Sequence, residues 1–308
     1  MSKIAYMFPG QGAQVIGMGK DFYENTETGR RVFDEASQLL GFSMPKLCFE
    51  ENEQLDDTEY TQAAMVTTSI AMMKVLEEKG VRPDVAAGLS LGEYAALVAA
   101  GVMSEKDAIA TVRQRGILME RAVPSGIGAM AAVLALSAEK IEEVVAAIPE
   151  VWIANYNCPG QIVISGKKEA VETACQRLKE AGAKRTLFLN VSGPFHSGML
   201  KEAGEKLGQV LKTVEVHRPK IPYVANVTAE LVQDPSQVKP LLERQVYSSV
   251  RWQQSVETMI KAGIDTFIEI GPGKTLTGFM KKIDRTVNVL NIEKLEDIDK
   301  AVKALEVL

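Results

Sequence analysis

The period of the apolar positions changes repeatedly along the chain, and each change predicts an element. Residues 4–8 form a short apolar run that enters a glycine turn, PGQGAQ, and read as a buried strand. Residues 57–79 carry a helical pattern that Gly80 ends. Pro83 then opens a small-residue strand at 84–87, which feeds GLSLGEY at 88–94. Residues 91–100, rich in alanine and leucine, read as a buried helix stopped at Gly101. Ser104, with Asp107 three positions on, is an N-cap signature for a helix reaching about Ala122, where Pro124 and Gly126 break it. Strands alternating with helices predict a parallel sheet covered on both faces.

From 128 to 191 the rhythm differs. A strand at 130–135 precedes a helix at 137–148 with apolar Ile141, Val144 and Val145. Strands at 151–155 and 161–165 are joined by NCPG, and a helix at 168–181 leads to a strand at 185–191. The order βαββαβ is the ferredoxin-like pattern. Beyond it the first rhythm resumes: a helix at 199–211, a strand at 223–225, a helix end at 255–262, a buried strand at 266–270, the turn GPGKT and a helix to Ile283. The expectation is an α/β chain in which a large domain, 1–125 and 193–308, is interrupted by a small domain, 126–192.

The length of 308 residues agrees with about two domains. Hydrophobic content of 46% and charged content of 24% are those of an ordinary globular chain. A net charge of −5 argues against a nucleic-acid partner, and the 6% of aromatic residues show no base-stacking pattern. Cys48, Cys158 and Cys175 match neither a disulfide framework nor zinc-ligand spacing. No apolar run approaches ~20 residues, and the N-terminus has no signal-like stretch. A cytoplasmic protein without membrane contact is expected. If the chemistry needs an imidazole, His196 and His217 are the candidates.

Strand, G-x-S-x-G, helix is the pattern of a nucleophile elbow, which at 88–92 would project Ser90 above the sheet with the Leu91 amide aimed at the same point. A helix N-cap serine in a glycine turn has the same five-residue pattern. Eleven residues of helix climb ~16 Å, and an antiparallel return from Ser104 brings Arg115 back to about the height of Ser90. An arginine there suits a carboxylate; taken alone, RQR fits a surface arginine better, and Arg113 is a rival on another face. His196, in SGPFHS, falls at the junction of the two domains, where clefts form. His217, in VEVHRP, reads as a loop residue. FIEIGPGKT lacks a Walker glycine, since Ile268 stands five positions before Gly273, and GQG at 10–12 opens no dinucleotide fingerprint.

GQGAQ at 10–14, GLSLGEY at 88–94, RQRG at 113–116, NYNCPGQ at 155–161, GPFHS at 193–197 and RQVY at 244–247 stand in one order over nearly the whole chain. Together they resemble the malonyl-CoA:acyl-carrier-protein transacylase family. The resemblance implies an α/β-hydrolase-like large domain with a mostly parallel sheet and an inserted ferredoxin-like domain. It implies Ser90 as acyl-accepting nucleophile, His196 as its base and Arg115 as the holder of the malonyl carboxylate. It also implies the amides of Gln11 and Leu91 as the oxyanion hole and the main-chain carbonyl of Gln245 as the group that orients the histidine. The implied substrates are malonyl-CoA and the phosphopantetheine thiol of acyl carrier protein, in fatty-acid synthesis, with no cofactor and no metal. Lys184, Arg185, Lys274, Lys281, Lys282 and Arg285 are candidate contacts for an acidic carrier protein. Many members have histidine where this chain has Leu89, and serine where it has Ala13. A stand-alone acyltransferase of polyketide synthesis, a serine thioesterase or hydrolase, and a silent carrier-docking module are the alternative readings. Phe195, by the same resemblance, fits malonyl rather than a branched unit.

Overall fold

In a computed structural model, residues 2–124, 126–191 and 193–307 are described. Strand β1 (Ile4–Phe8) is followed by helices α1 (Lys20–Asn25), α2 (Glu27–Leu40), α3 (Met44–Phe49) and α4 (Thr58–Glu78). Strand β2 (Val85–Gly88), helix α5 (Gly92–Ala99) and helix α6 (Glu105–Ala122) come next. Then β3 (Gly128–Leu134), α7 (Ala138–Ala146), β4 (Val151–Cys158), β5 (Gln161–Lys167), α8 (Lys168–Glu180) and β6 (Arg185–Phe188) follow in the expected βαββαβ order. The chain continues through α9 (Lys201–Leu211), β7 (Tyr223–Val224), β8 (Leu231–Val232), α10 (Val238–Gln245) and α11 (Trp252–Lys261). It closes with β9 (Thr266–Ile270), α12 (Thr275–Ile283), β10 (Asn288–Ile292) and α13 (Leu295–Leu305).

One sheet has the order β10-β9-β1-β2-β7-β8 and is parallel except for the β7–β8 pair. Its central strands are almost wholly buried and mostly apolar because both faces are covered. Tyr6, Phe8, Ala86 and Ile268 belong to the core shared with α4, α5 and α6. Ala5, Met7, Val85 and Phe267 face the opposite way, against Trp252 and Val256 of α11 and Leu276 and Met280 of α12. Glu269 lies on this second face and is fully buried; its carboxylate accepts the Leu276 and Thr277 amides at 2.9 and 2.8 Å, which fixes the start of α12 above the strand end.

The second sheet, β4-β5-β3-β6, is antiparallel throughout, and α7 and α8 cover one face of it around Ile141, Val171 and Leu178. Val250, just before α11, joins the second sheet to the rest of the chain by exchanging bonds with β4, donating to Ala154 O at 2.8 Å and accepting from Tyr156 N at 2.9 Å. The two sheets form the α/β class expected of the sequence. Ser125 and Ser192, at the expected domain boundaries, lie outside the described residues, as do Met1 and Leu308.

Several expected edges move. The strand expected at 151–155 runs on to Cys158 through two register irregularities, so of NCPG only Pro159 and Gly160 form the turn. The helix expected at 199–211 begins as a 3-10 turn at Gly198–Leu200, and the strand expected at 185–191 leaves the ladder after Phe188.

Candidate active site

Strand β2 ends at Gly88 and helix α5 starts at Gly92, leaving three residues to reverse the chain. The turn is so tight that a Cβ on Gly88 would stand 2.0 Å from the Gly92 carbonyl, and one on Gly92 would stand 2.3 Å from Phe8 O. Between them Ser90 takes a left-handed backbone, φ 54°. A non-glycine residue in that region is strained and persists only where its surroundings hold it. His196 is held the same way, at φ 57°.

The two strained residues meet. Ser90 Oγ lies 2.7 Å from His196 Nε2, and His196 Nδ1 lies 2.8 Å from the main-chain oxygen of Gln245. A carbonyl oxygen only accepts, so Nδ1 carries the hydrogen and Nε2 offers its lone pair to the serine hydroxyl. Arg115, 1% exposed, donates from Nη2 to Ser90 Oγ at 3.0 Å and to Gln245 Oε1 at 3.1 Å, and from Nη1 to Gln62 Oε1 at 2.7 Å. The serine oxygen therefore sits between an unprotonated nitrogen that can take its proton and a cation that favours the alkoxide.

Burial, then the charge of Arg115, pushes the His196 pKa down to about 4, against the opposing bonds from the main chain at Gln245 and Ser248. Burial also lowers that of Arg115, which Tyr94 and Glu93 oppose. Burial raises the Glu93 carboxyl to about 7, although bonds from Gln245 and Asn226 and the charge of Arg115 pull the other way.

Gln11 lies in the first glycine turn, its side chain donating to Thr58 Oγ1 at 3.2 Å. Gly10, Gln11 and Ser90 share one cavity of about 180 Å³, which Leu89, Phe195 and Phe279 wall with apolar surface. Among the described residues, neither the Gln11 nor the Leu91 amide donates to a protein acceptor. Gln11, Ser90 with its neighbour Leu91, Arg115, His196 and Gln245 thus come from five separate segments of chain to one place. Arg113, the rival arginine, is elsewhere: it lies over the Tyr60 ring at 4.1 Å and pairs with Glu59 at 3.4 Å. His217 is exposed beside Glu215. A larger hollow, about 380 Å³ and walled by Val15, Met18 and Pro272, gathers no nucleophile and base. Among the described residues no three His, Cys, Asp or Glu side chains are grouped to hold a metal ion, and no helix is long and apolar enough to cross a membrane.

Three residues of this network escaped the sequence reading. Gln62 anchors Arg115, while Glu93 Oε2 accepts Gln245 Nε2 at 2.7 Å and the Asn226 amide at 3.1 Å. Asn226 in turn bonds to the Ser90 amide and to Gly88. Gln245 also uses its side chain, which bonds Arg115 and donates to Ser90 O at 2.9 Å. Glu93 and Asn226 lie among buried apolar residues, where a polar side chain must find a partner; that was the signal available for these two.

The acyl transferase domain model matches residues 5–300 of this chain. The malonyl CoA-acyl carrier protein transacylase of Bacillus subtilis (strain 168) is 47% identical over 311 residues, covering 99% of this chain and 98% of the relative. A crystal structure of the malonyl CoA-acyl carrier protein transacylase from Clostridium perfringens superposes with a TM-score of 0.96 at 42% identity, covering 99% of this chain and 98% of the other. A malonyl-transacylase solved in complex with its type II polyketide synthase acyl-carrier protein superposes with a TM-score of 0.95 at 40% identity, over 98% of this chain and all (100%) of that one.

Proposed function

This chain belongs to the acyl transferase family, among the malonyl-CoA:acyl-carrier-protein transacylases, and on that premise we propose how its residues carry out the transfer. It is an acyltransferase that moves a malonyl group from malonyl-CoA to the phosphopantetheine thiol of acyl carrier protein, supplying fatty-acid synthesis.

In the first step Ser90 Oγ attacks the thioester carbon as its proton passes to His196 Nε2. The carbonyl oxygen becomes an oxyanion, which accepts the Gln11 and Leu91 amides. The C–S bond breaks, and the departing thiolate of coenzyme A takes the proton from His196. A malonyl-serine ester remains. In the second step the carrier's thiol gives its proton to His196 and attacks the ester carbon; the C–O bond breaks and Ser90 regains its proton. A thiol of pKa about 8.5 needs little acid assistance to leave. The neutral Gln245 carbonyl therefore suffices behind the histidine, where a hydrolase cleaving an amide uses a carboxylate. Every atom and proton is accounted for by side chains and the two substrates, so no cofactor takes part.

Arg115, beside Ser90 Oγ, receives the malonyl carboxylate, which its fork can grip by two bonds. The reading further assigns residues 1–125 and 193–308 to the catalytic domain, 126–192 to the inserted one, and the protein to the cytoplasm.

The observation that carries this function is the meeting of His196 Nε2 and Arg115 Nη2 on one oxygen, at 2.7 and 3.0 Å. Intact-mass measurement after mixing with malonyl-CoA tests it. One malonyl group should add to the protein, disappear on adding phosphopantetheinylated carrier protein, and never form on Ser90→Ala. An unchanged mass refutes the covalent route, and release of free malonate in place of transfer makes the protein a hydrolase.

A further inference from the structure

We propose that Asn226 is a positioning residue for the nucleophile, its side-chain amide clamping the chain on both sides of the elbow so that Ser90 keeps its left-handed backbone. The inference rests on the reading of Ser90 as the acylated residue.

Strands β2 and β7 pair in parallel as far as Ala87 and Val224. Past that point the first chain enters the elbow and the second turns away, so the ladder has no further main-chain partner for Gly88 and Ser90. Asn226 supplies one from its side chain. Its Nδ2 donates to Gly88 O at 2.7 Å, and its Oδ1 accepts the Ser90 amide at 2.7 Å. A carboxamide offers the same donor and acceptor pair as a peptide group, so it continues the sheet by one rung across a turn that no strand can follow.

The clamp is itself fixed. The Asn226 amide donates to Glu93 Oε2 at 3.1 Å, and the Asn226 carbonyl accepts the Arg251 amide at 2.9 Å. The residue is 1% exposed and each of its polar atoms already meets a protein partner, Oδ1 also lying 3.5 Å from Gln245 Nε2, so it acts on the reaction through the groups it holds, the Ser90 amide by the shorter bond. The geometry at stake is narrow. Rotation of the Ser90 peptide toward a relaxed φ would carry Oγ off His196 Nε2 and turn the next amide, that of Leu91, away from the cavity. Small displacements of reacting groups cost large factors in rate.

The test is single-turnover acylation by malonyl-CoA, followed by mass, on the wild type, Asn226→Ala and Asn226→Asp, with thermal melts of each. Asn226→Ala should acylate at least 30-fold more slowly, with the donor's half-saturating concentration and the preference for malonyl over acetyl within 3-fold of wild type. Asn226→Asp keeps the shape and the acceptor for the Ser90 amide but loses the donor to Gly88, and should fall between the two. Acylation within 3-fold of wild type, or a loss confined to the half-saturating concentration, overturns the proposal. Should Asn226→Ala not fold, the near-isosteric Asn226→Asp decides by the same criteria. A wild type that gains no malonyl mass defeats the underlying reading instead, and so is distinguishable from a failure of the clamp.

Discussion

Arg115 Nη2 donates to Ser90 Oγ at 3.0 Å, so the guanidinium grips the oxygen of the nucleophile. The same cation is buried, held at its rear by Gln62 and Gln245, and cannot swing away into solvent. A malonyl carboxylate gives it an anion to pair with, whereas an acetyl group leaves it buried and unpaired.

Leaving such a charge without a partner costs about 3 kcal/mol, which is ~100-fold in relative rate. Arg115→Ala should lose malonyl transfer and reduce the malonyl-over-acetyl preference by about that factor. Arg115→Lys should recover only part of it, because an ammonium lacks the fork. Competition between the two acyl donors measures both. An alanine variant that still prefers malonyl removes Arg115 from carboxylate recognition.

His196 must be neutral to accept the serine proton, and burial with the Arg115 charge sets its pKa at about 4. A histidine at its ordinary value would already be half protonated near pH 6.5. The acylation efficiency of the free enzyme should therefore stay level from pH 8 down to about pH 5 and fall only as the pH approaches the depressed value. Single-turnover rates in a pH series check this. A break close to pH 6.5 would show that the imidazole is solvated in solution.

Much of this was legible because it is local. Thr266–Ile270 is mostly apolar and reads as a buried strand, and the Gly88-Leu89-Ser90-Leu91-Gly92 turn carries its own steric reason. Arg115 could be raised to the height of Ser90 by helix rise alone. What escaped depends on closure over long separations: Asn226 reaches Ser90 across 136 residues, and no periodicity near either end announces it. Elements with mixed signals were also passed over. Helix α10 has Pro240 within its first turn, and β10, NVLNI, is a half-buried edge strand that includes Asn288 and Asn291.

Helix α12 joins the cavity to the surface. Thr275 and Phe279 line the cavity, and Lys281 and Lys282 in its last turn are exposed. An acidic carrier protein bringing its thiol to Ser90 would meet these lysines on approach. Reversing both, Lys281→Glu with Lys282→Glu, should raise the Michaelis constant for the carrier by about 10-fold at low salt, through the association rate. The value for malonyl-CoA should not change, and the defect should fade at high ionic strength. An unaltered constant for the carrier at low salt moves the docking surface elsewhere.

Glu93 and His196 pull the pH dependence of stability in opposite directions. The Glu93 carboxyl is raised from its ordinary 4.5 to about 7, so folding takes up a proton between these values, and its contribution to stability is lost as the pH rises through that window. His196 is lowered from 6.5 to about 4, so unfolding takes up the proton there, and stability from this residue rises with pH over that interval. The two slopes nearly cancel in the wild type. Glu93→Gln removes one of them without changing shape, and its stability relative to wild type should climb by on the order of 3 kcal/mol as the pH goes from 4.5 to 7. Urea midpoints of the two proteins across that range measure the difference, since it is the slope of the gap and not its absolute size that reports the proton. Parallel curves would mean that Glu93 is ionised in the folded protein throughout, stabilised by Arg115 and its two amide donors more than its burial opposes.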